Sequence, residues 1–234
     1  MTARPADVTV PAGGALMLGD QVPTGASLAD RAYHTLRNRI VALDLPPGLL
    51  MREEELMKEL GMSKTPLREA LSRLGREKLV TVRSRRGTFV SEVNVGDVGQ
   101  IYEFRRELEI VTAGWAAERR AEVDLPKIDA QLELLRAVQG APESDAREHI
   151  AVDRSTHSLI YGLSRNLHLG EVLASYYLLA IRIWFLAAGR VTMTEPYNIL
   201  AELLEAIKRQ DVAAARQHAR LHSETAEAAI RTAL

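Results

Sequence analysis

The chain has 234 residues, of which 47% are hydrophobic and 26% charged, a balance typical of a soluble globular protein with one large or two small domains. Cysteine is absent, which excludes a disulfide framework, a thiolate zinc site and a cysteine nucleophile. The net charge of −1 conceals an asymmetry, because residues 27–92 carry 13 basic and 9 acidic side chains whereas residues 93–234 carry 16 and 20.

The first 26 residues do not predict a targeting signal, and the most apolar stretch of the chain does not predict a membrane span. Residues 1–26 are rich in glycine and proline and show no apolar period, so we expect a disordered or loosely docked arm. Residues 172–189 are interrupted by Ser175 and Arg182, which favours a buried helix over a membrane span. We therefore expect a cytoplasmic protein without a membrane partner.

Residues 27–92 are predicted to form a winged helix-turn-helix domain. Its first helix begins after the cap residue Ser27 and ends at residues 45–48, because neither proline nor the residue before it favours a helix. A second helix spans about residues 52–60 and ends at Gly61, a usual C-cap residue.

A third helix and a hairpin complete this predicted domain. The helix opens near Pro66, since proline is tolerated in a first helical turn. Apolar residues recur there at helical spacing, namely Leu67, Ala70, Leu71 and Leu74. Two short strands at residues 79–82 and 87–90 then flank a basic turn, residues 83–86, which would form the wing.

The rest of the chain is predicted to be all α-helical. A linker at residues 93–97 leads to residues 98–234, which have helical periodicity and breaks that divide them into about six helices. The fold class is therefore mainly α, with an antiparallel helical bundle after the winged domain.

The sequence between Lys64 and Arg86 predicts a DNA-binding surface. It holds eight basic and two acidic side chains, and such an excess attracts a polyanion. A recognition helix needs donors for base edges at its start and cations for phosphates beside it. The predicted contacts are Lys64, Thr65, Arg68, Arg73, Arg83, Arg85, Arg86 and Gly87. Each arginine alone fits a solvated face equally well, but the helix order and the wing together favour double-stranded DNA as the partner.

Residues 60–71, with the later motif Gly87-Thr88-Phe89-Val90, resemble the N-terminal domain of the GntR family of bacterial transcription regulators. The resemblance covers residues 27–92 without a gap. It implies that the third helix and the wing carry the DNA contacts. The family usually has arginine at the position of Lys64, so this chain keeps the charge there but loses the forked geometry.

Residues 98–229 resemble the FadR-type ligand-binding domain, called the FCD domain. The supporting residues are Arg105, Leu108, Glu109, Asp153, His157, Asn166, Ala206, Ile207, Asp211 and His222. Six helices rather than seven fit its VanR-like subgroup. The resemblance implies a cavity for a small molecule, often with a divalent metal that anchors an organic acid.

Three residues of this predicted domain are candidate ligands of a divalent metal such as zinc or nickel. Asp153 and His157 are four residues apart and share a helical face, and His222 would be the third ligand. The family pattern has a further histidine where this chain has Leu200, and His218 is an alternative fourth ligand. The competing interpretation is a polar pair on a helix and exposed histidines.

Two arginines and an asparagine are candidate effector contacts. Arg105 and Arg182 lie in apolar helical segments, where a lone arginine needs a partner such as the carboxylate of an effector. Arg182 pairing with a glutamate, or reaching the surface, is the alternative. The resemblance adds Asn166 to this set.

The leading interpretation is a ligand-responsive transcription regulator that binds a palindromic operator as a homodimer. One alternative is a metal-dependent hydrolase in which Asp153, His157 and His222 activate a water molecule. Another is a nucleoid-type protein that binds DNA without an effector.

Overall fold

The computed structural model describes residues 25–139, 146–187 and 194–234, without the side chains of Ala146, Arg147 and Thr194. Most of the predicted N-terminal arm lies outside the described residues.

The N-terminal part is a winged helix-turn-helix, as predicted. Its elements are α1 (Leu28–Val41), β1 (Leu50–Met51), α2 (Glu53–Leu60), α3 (Lys64–Arg76), β2 (Val80–Arg83) and β3 (Gly87–Val90). Ser27 and Asp30 form a reciprocal capping box that starts α1. Gly61 ends α2 with φ of +63°, the left-handed conformation that glycine adopts without strain.

The wing is a three-stranded antiparallel sheet in the order β1-β3-β2. Leu50 pairs with Phe89, and Val80 pairs with Val90. The two-residue strand β1 was not predicted, because a segment this short shows no alternation of polar and apolar residues. It links the loop after α1 to the hairpin and so holds the wing against the helices.

The remaining described chain is helical and contains the six helices expected. They are α4 (Val98–Arg119), α5 (Leu125–Gln139), α6 (Ala146–Leu163), α7 (Leu167–Ala187), α8 (Thr194–Lys208) and α9 (Val212–Ala233). Short 3-10 turns at Val95–Asp97 and Glu122–Asp124 precede α4 and α5. Small and branched residues such as Ala116, Leu132 and Ile207 are fully buried where these helices pack together.

Helix α7 joins the two parts of the molecule. Its residues Tyr177, Leu178 and Ile181 belong to the same apolar cluster as Leu36 and Ile40 of α1. The winged domain is therefore seated directly on a helix of the bundle, and a shift of α7 would move both.

Within the described residues, α7 is also the one helix that has the length and apolar composition of a membrane span. Leu173, Tyr177 and Ile181 are nonetheless buried against other parts of the protein, and the charged Arg182 is only 2% exposed. The predicted buried helix is therefore buried along one face, while Val172 and Leu186 on it are 43% and 41% exposed.

Candidate DNA-binding surface and metal-ligand cluster

The start of α3 presents a polar face to solvent. Lys64, Thr65 and Arg68 are exposed there, while Leu67 and Ala70 on the other face are fully buried. Because the helix repeats every 3.6 residues, burial of one stripe forces the predicted DNA contacts outward. Three of the predicted residues thus lie together on one accessible surface.

Both cations of this surface contact Glu53, the first residue of α2. Arg68 Nε donates to the two carboxylate oxygens of Glu53 at 3.2 and 3.1 Å. Lys64 Nζ lies 3.8 Å from Glu53 Oε2. Glu53 was not predicted as part of this surface, because its position opposite α3 depends on how the two helices cross.

The wing turn carries the second exposed group of cations. Arg83, Arg85 and Arg86 are all exposed, and the Arg83 guanidinium lies 4.8 Å from the centre of the Phe89 ring. Gly87 has φ of +108°, and a Cβ atom there would lie 2.9 Å from Leu50 Cδ1. Glycine at this position therefore permits the tight turn that holds the arginines beyond the sheet.

Arg73 differs from the other predicted DNA contacts, because the structure places it against α1. Its Nη1 donates to Asp30 Oδ1 at 2.6 Å, and its guanidinium lies 3.9 Å from the centre of the Tyr33 ring. These contacts give Arg73 a role in fixing α3 on α1.

The three predicted metal ligands come together between α6 and α9. His157 Nε2 lies 3.2 Å from His222 Nε2 and 3.9 Å from Asp153 Oδ2. Ligand atoms of all three residues fall within 4.8 Å of one another. Both histidines are buried, so the cluster is shielded from bulk water.

The hydrogen bonds around the cluster leave a lone pair of His222 and one carboxylate oxygen of Asp153 for an ion. His222 Nδ1 lies 3.0 Å from the carbonyl oxygen of Pro196, which can only accept, so this nitrogen carries the proton and Nε2 keeps its lone pair. Tyr177 donates to Asp153 Oδ2, while Asp153 Oδ1 is buried and has no hydrogen-bond partner within the described chain. Two nitrogens 3.2 Å apart also suit one ion bound at about 2.0–2.1 Å from each. The donor set fits a divalent transition metal.

A buried ion pair lies beside the cluster. Arg105 Nη2 donates to Glu109 Oε1 at 2.8 Å, and both side chains are only 6% exposed. Tyr161 donates to the same oxygen at 2.9 Å and lies 3.4 Å from His157 Nδ1. Glu109 therefore lies on the Nδ1 side of the His157 ring, opposite the candidate ligand atom Nε2, and contacts the ring partly through the Tyr161 hydroxyl.

Burial and neighbouring charges shift the pKa values of ionisable groups in this region in opposite directions. Burial alone would raise the pKa of Glu109, but the Arg105 guanidinium overcomes that effect and lowers it to about 2. Burial lowers the pKa of His157 to about 4, despite the nearby carboxylates of Asp153 and Glu109. A neutral His157 is the form that binds a metal.

The predicted effector contacts do not converge. Arg105 lines a cavity of about 20 Å³ with the three metal-ligand candidates, a volume that suits one water molecule. Arg182 is not among the lining residues and instead donates to the Ser91 carbonyl at 2.5 Å. Asn166 caps α7 by accepting from the Leu169 amide at 3.1 Å.

The two positions considered for a fourth ligand lie apart from the cluster. Leu200 is fully buried in an apolar cluster of the bundle and does not line the cavity. His218 Nδ1 lies 3.3 Å from Glu202 Oε2 and is not part of the ligand group. Within the described residues, the ligand set remains the three residues predicted.

The winged helix, its cationic surface and the helical bundle define a DNA-binding regulator of transcription with a second, ligand-binding domain. The family model for bacterial regulatory proteins of the gntR family matches residues 28–90, and the FCD domain model matches residues 100–225. The chain belongs to the GntR family and carries an FCD effector-binding domain.

Individual relatives agree with this assignment. An HTH-type transcriptional regulator from Agrobacterium vitis is 37% identical over 51% of this chain and 67% of its own. The gluconate operon transcriptional repressor of Bacillus licheniformis is 30% identical over 67% of this chain and 66% of its own. Across the curated relatives compared, the chain spans between about half and two thirds of their length.

Solved structures show the same fold. McbR/YncC of Escherichia coli superposes with a TM-score of 0.77 at 25% identity, covering 88% of this chain and 98% of its own. A GntR regulator from Rhodococcus sp. RHA1 has a TM-score of 0.71 at 24% identity, covering 88% and 98%. The hydrolase alternative is wrong, because the domains and relatives are those of transcription regulators and not enzymes.

Proposed function

We propose that the protein binds a palindromic DNA operator as a homodimer and that a ligand in the helical bundle modulates this binding. Residues 27–92 would contact DNA, residues 98–234 would bind the effector and dimerise, and residues 93–97 would connect them. The observation that carries the proposal is the exposure of Lys64, Thr65 and Arg68 at the start of α3, beside a basic wing. We place this regulator in the cytoplasm, where it meets DNA.

In this proposal α3 enters the major groove and the wing contacts the backbone. Arg68 is 60% exposed, and its two Nη groups have no partner in the described part of the chain, so they are free for a guanine edge. Thr65 can donate to a base or a phosphate. Arg83, Arg85 and Arg86 supply positive charge for phosphates or the minor groove.

A second copy of the chain is proposed to pack against an apolar face formed by α4 and α7. Phe104 and Val111 on α4 are 38% and 36% exposed, and Val172 on α7 is 43% exposed. The Phe104 and Tyr176 rings lie 4.3 Å apart and make this face continuous. A two-fold dimer through it would present two winged domains to two half-sites.

The effector site is proposed to be the cavity at the Asp153, His157 and His222 cluster, with zinc or nickel held by these three side chains. When bound, the ion would supply a Lewis acid that anchors a carboxylate of a small organic acid. Arg105 lines the cavity but already pairs with Glu109. Its contribution to the binding of an acidic ligand is therefore electrostatic. Because the cavity is small, a bound acid requires side chains such as Trp184 or Tyr197 to move.

Selection of DNA sequences by the purified full-length chain tests the DNA-binding part. We expect enrichment of an inverted repeat from a library of random duplexes, with two half-sites about one helical turn apart. Enrichment of no sequence over random DNA contradicts the proposal and supports a nucleoid-type protein. Native mass spectrometry of the same sample reports the dimer and any retained metal.

The dimer face has a matched control. Val111→Glu places a charge in the proposed interface, whereas Val123→Glu places the same charge at a residue that is 76% exposed in the turn before α5. We expect light scattering to show a monomer for the first variant and a dimer for the second. Dimers for both would move the interface elsewhere.

A further inference from the structure

The carboxylate of Glu53 faces the cations of the proposed recognition surface. It lies 3.1 Å from Arg68 Nε and 3.8 Å from Lys64 Nζ, and its side chain is 29% exposed. We infer that Glu53 is a positioning residue that orients Arg68 toward the bases and so sets the preference for selected over random DNA. This inference rests on the proposed binding of DNA through α3.

The hydrogen-bond pattern suits such a role. Glu53 engages Arg68 through Nε, with one bond to each carboxylate oxygen. A bidentate contact to guanine needs two further donors of the guanidinium, and both Nη groups are available. Holding the side chain by its Nε edge fixes the plane of the guanidinium before DNA arrives. Less side-chain entropy is then lost on binding.

Charge acts in the same direction. Phosphates attract cations regardless of sequence, and this attraction dominates binding to random DNA. The Glu53 carboxylate partly cancels the fields of Lys64 and Arg68 and repels a nearby phosphate. Glu53 thus favours contact with bases by orienting Arg68, and it weakens contacts with phosphates, which depend on charge alone.

The neighbouring Glu55 provides a control for loss of one negative charge. It lies in the same first turn of α2, where acidic side chains interact favourably with the helix dipole. Glu55 forms an ion pair with Arg52 at 3.6 Å on an exposed surface, and within the described residues no ion pair joins it to the cations of α3. Any effect of Glu53→Gln on helix α2 alone should therefore appear in Glu55→Gln as well.

The test uses full-length protein and two duplexes, one enriched by the wild-type chain from the random library and one with its bases shuffled. Affinities for both are measured at several salt concentrations for wild type, Glu53→Gln, Glu55→Gln, Arg68→Ala and the double variant of Glu53 and Arg68. We expect Glu53→Gln to lower the ratio of the two affinities about two- to tenfold per half-site. Binding to the shuffled duplex should tighten, and its salt dependence should steepen by about one phosphate contact.

Glu55→Gln should leave the ratio unchanged. Glu53→Gln should lower the ratio no further once Arg68 is alanine, because the orientation effect passes through Arg68. The loss of charge beside Lys64 should then still tighten binding, but to both duplexes alike. Glu53→Asp, which keeps the charge but is one methylene shorter, should lower the ratio without tightening binding to the shuffled duplex. An unchanged ratio in Glu53→Gln, or an equal loss of affinity for both duplexes, would overturn the inference. If the wild-type chain enriches no sequence from the library, the proposed operator binding is wrong. If it enriches one and Glu53→Gln leaves the ratio unchanged, only the inferred role of Glu53 is wrong.

Discussion

Arg182 of α7 donates a 2.5 Å hydrogen bond to the backbone carbonyl of Ser91, which directly follows the last strand of the wing. The guanidinium is 2% exposed, and its Nε has no hydrogen-bond partner within the described chain. Burial lowers the pKa of Arg182 to about 10, although Glu92 opposes the shift. The neighbours Tyr177 and Ile181 on the same helix line the cavity. One helix therefore carries both the cavity wall and the tie to the DNA-binding domain.

This relationship predicts different outcomes for two substitutions of Arg182. Arg182→Met keeps most of the volume and removes an incompletely paired buried charge, so we expect the free energy of unfolding to change by less than about 1 kcal/mol. Both variants remove the donor to the Ser91 carbonyl, but Arg182→Ala also leaves a cavity, so it should cost more, about 2–4 kcal/mol. Urea unfolding of both variants tests this, and equal losses would show that the charge itself stabilises the contact.

Arg68→Ala should remove discrimination between bases. A good bidentate contact contributes about 1–3 kcal/mol of discrimination in each half-site, and Arg68 is the exposed residue placed to make it. Titration of the enriched and shuffled duplexes measures the loss. Arg85→Ala is the comparison, since its exposed position on the wing predicts equal weakening on both duplexes and a smaller salt slope. Full discrimination by Arg68→Ala would mean that another residue reads the bases.

Arg73→Ala should act on stability more than on DNA contacts. Its guanidinium is tied to Asp30 and the Tyr33 ring, and the side chain is 29% exposed. A partly exposed ion pair and a cation–π contact together account for about 1–2 kcal/mol. We expect the melting temperature to fall while the ratio of affinities for the two duplexes stays at the wild-type value. A changed ratio with unchanged melting would return Arg73 to the DNA surface.

The burial of His157 predicts acid sensitivity of the metal-free protein. An unfolded histidine has a pKa near 6.5, whereas the pKa of His157 in the folded chain is about 4. The unfolded state therefore takes up a proton first, and stability falls between about pH 6.5 and pH 4, by about 3 kcal/mol in full. Chelator-treated protein unfolded by urea across this range should show the fall, and His157→Gln should show less of it. Parallel pH curves for the two proteins would contradict the low pKa.

The low pKa of His157 also changes the expected pH dependence of metal binding. Free imidazoles lose metal below about pH 6, but a folded His157 with a pKa of about 4 stays neutral to lower pH. Calorimetric titration of zinc or nickel into stripped protein should detect binding at pH 7, and His157→Ala should abolish it. His168→Ala is a suitable control because His168 lies at the exposed start of α7. Identical isotherms for wild type and His157→Ala would mean that no metal binds at this cluster.

Local rules were sufficient for most of the architecture. Caps such as Ser27 and Gly61 and the spacing of Leu67, Ala70 and Leu71 depend on residues a few positions apart, and the helices form as they predict. The candidate metal ligands also followed from the sequence, through the i, i+4 spacing of Asp153 and His157 and the resemblance that added His222. In the structure His157 and His222 meet across 65 positions of the chain.

Tertiary packing decided which cations are free and which are already paired. The same residue type, arginine, meets a different partner at each of four positions. Arg68 contacts Glu53, and Arg73 contacts Asp30. Arg105 contacts Glu109, and Arg182 contacts the Ser91 carbonyl. Glu53 and Asp30 come from other helices and Ser91 from the segment after β3, so these three distances depend on how helices cross and where the wing sits. The sequence by itself determined the class of fold and the chemical types available for DNA and metal. The three-dimensional structure decided which of these side chains remain available for a ligand. The reason is that hydrogen-bond partners and packing contacts come from residues that are neighbours in space.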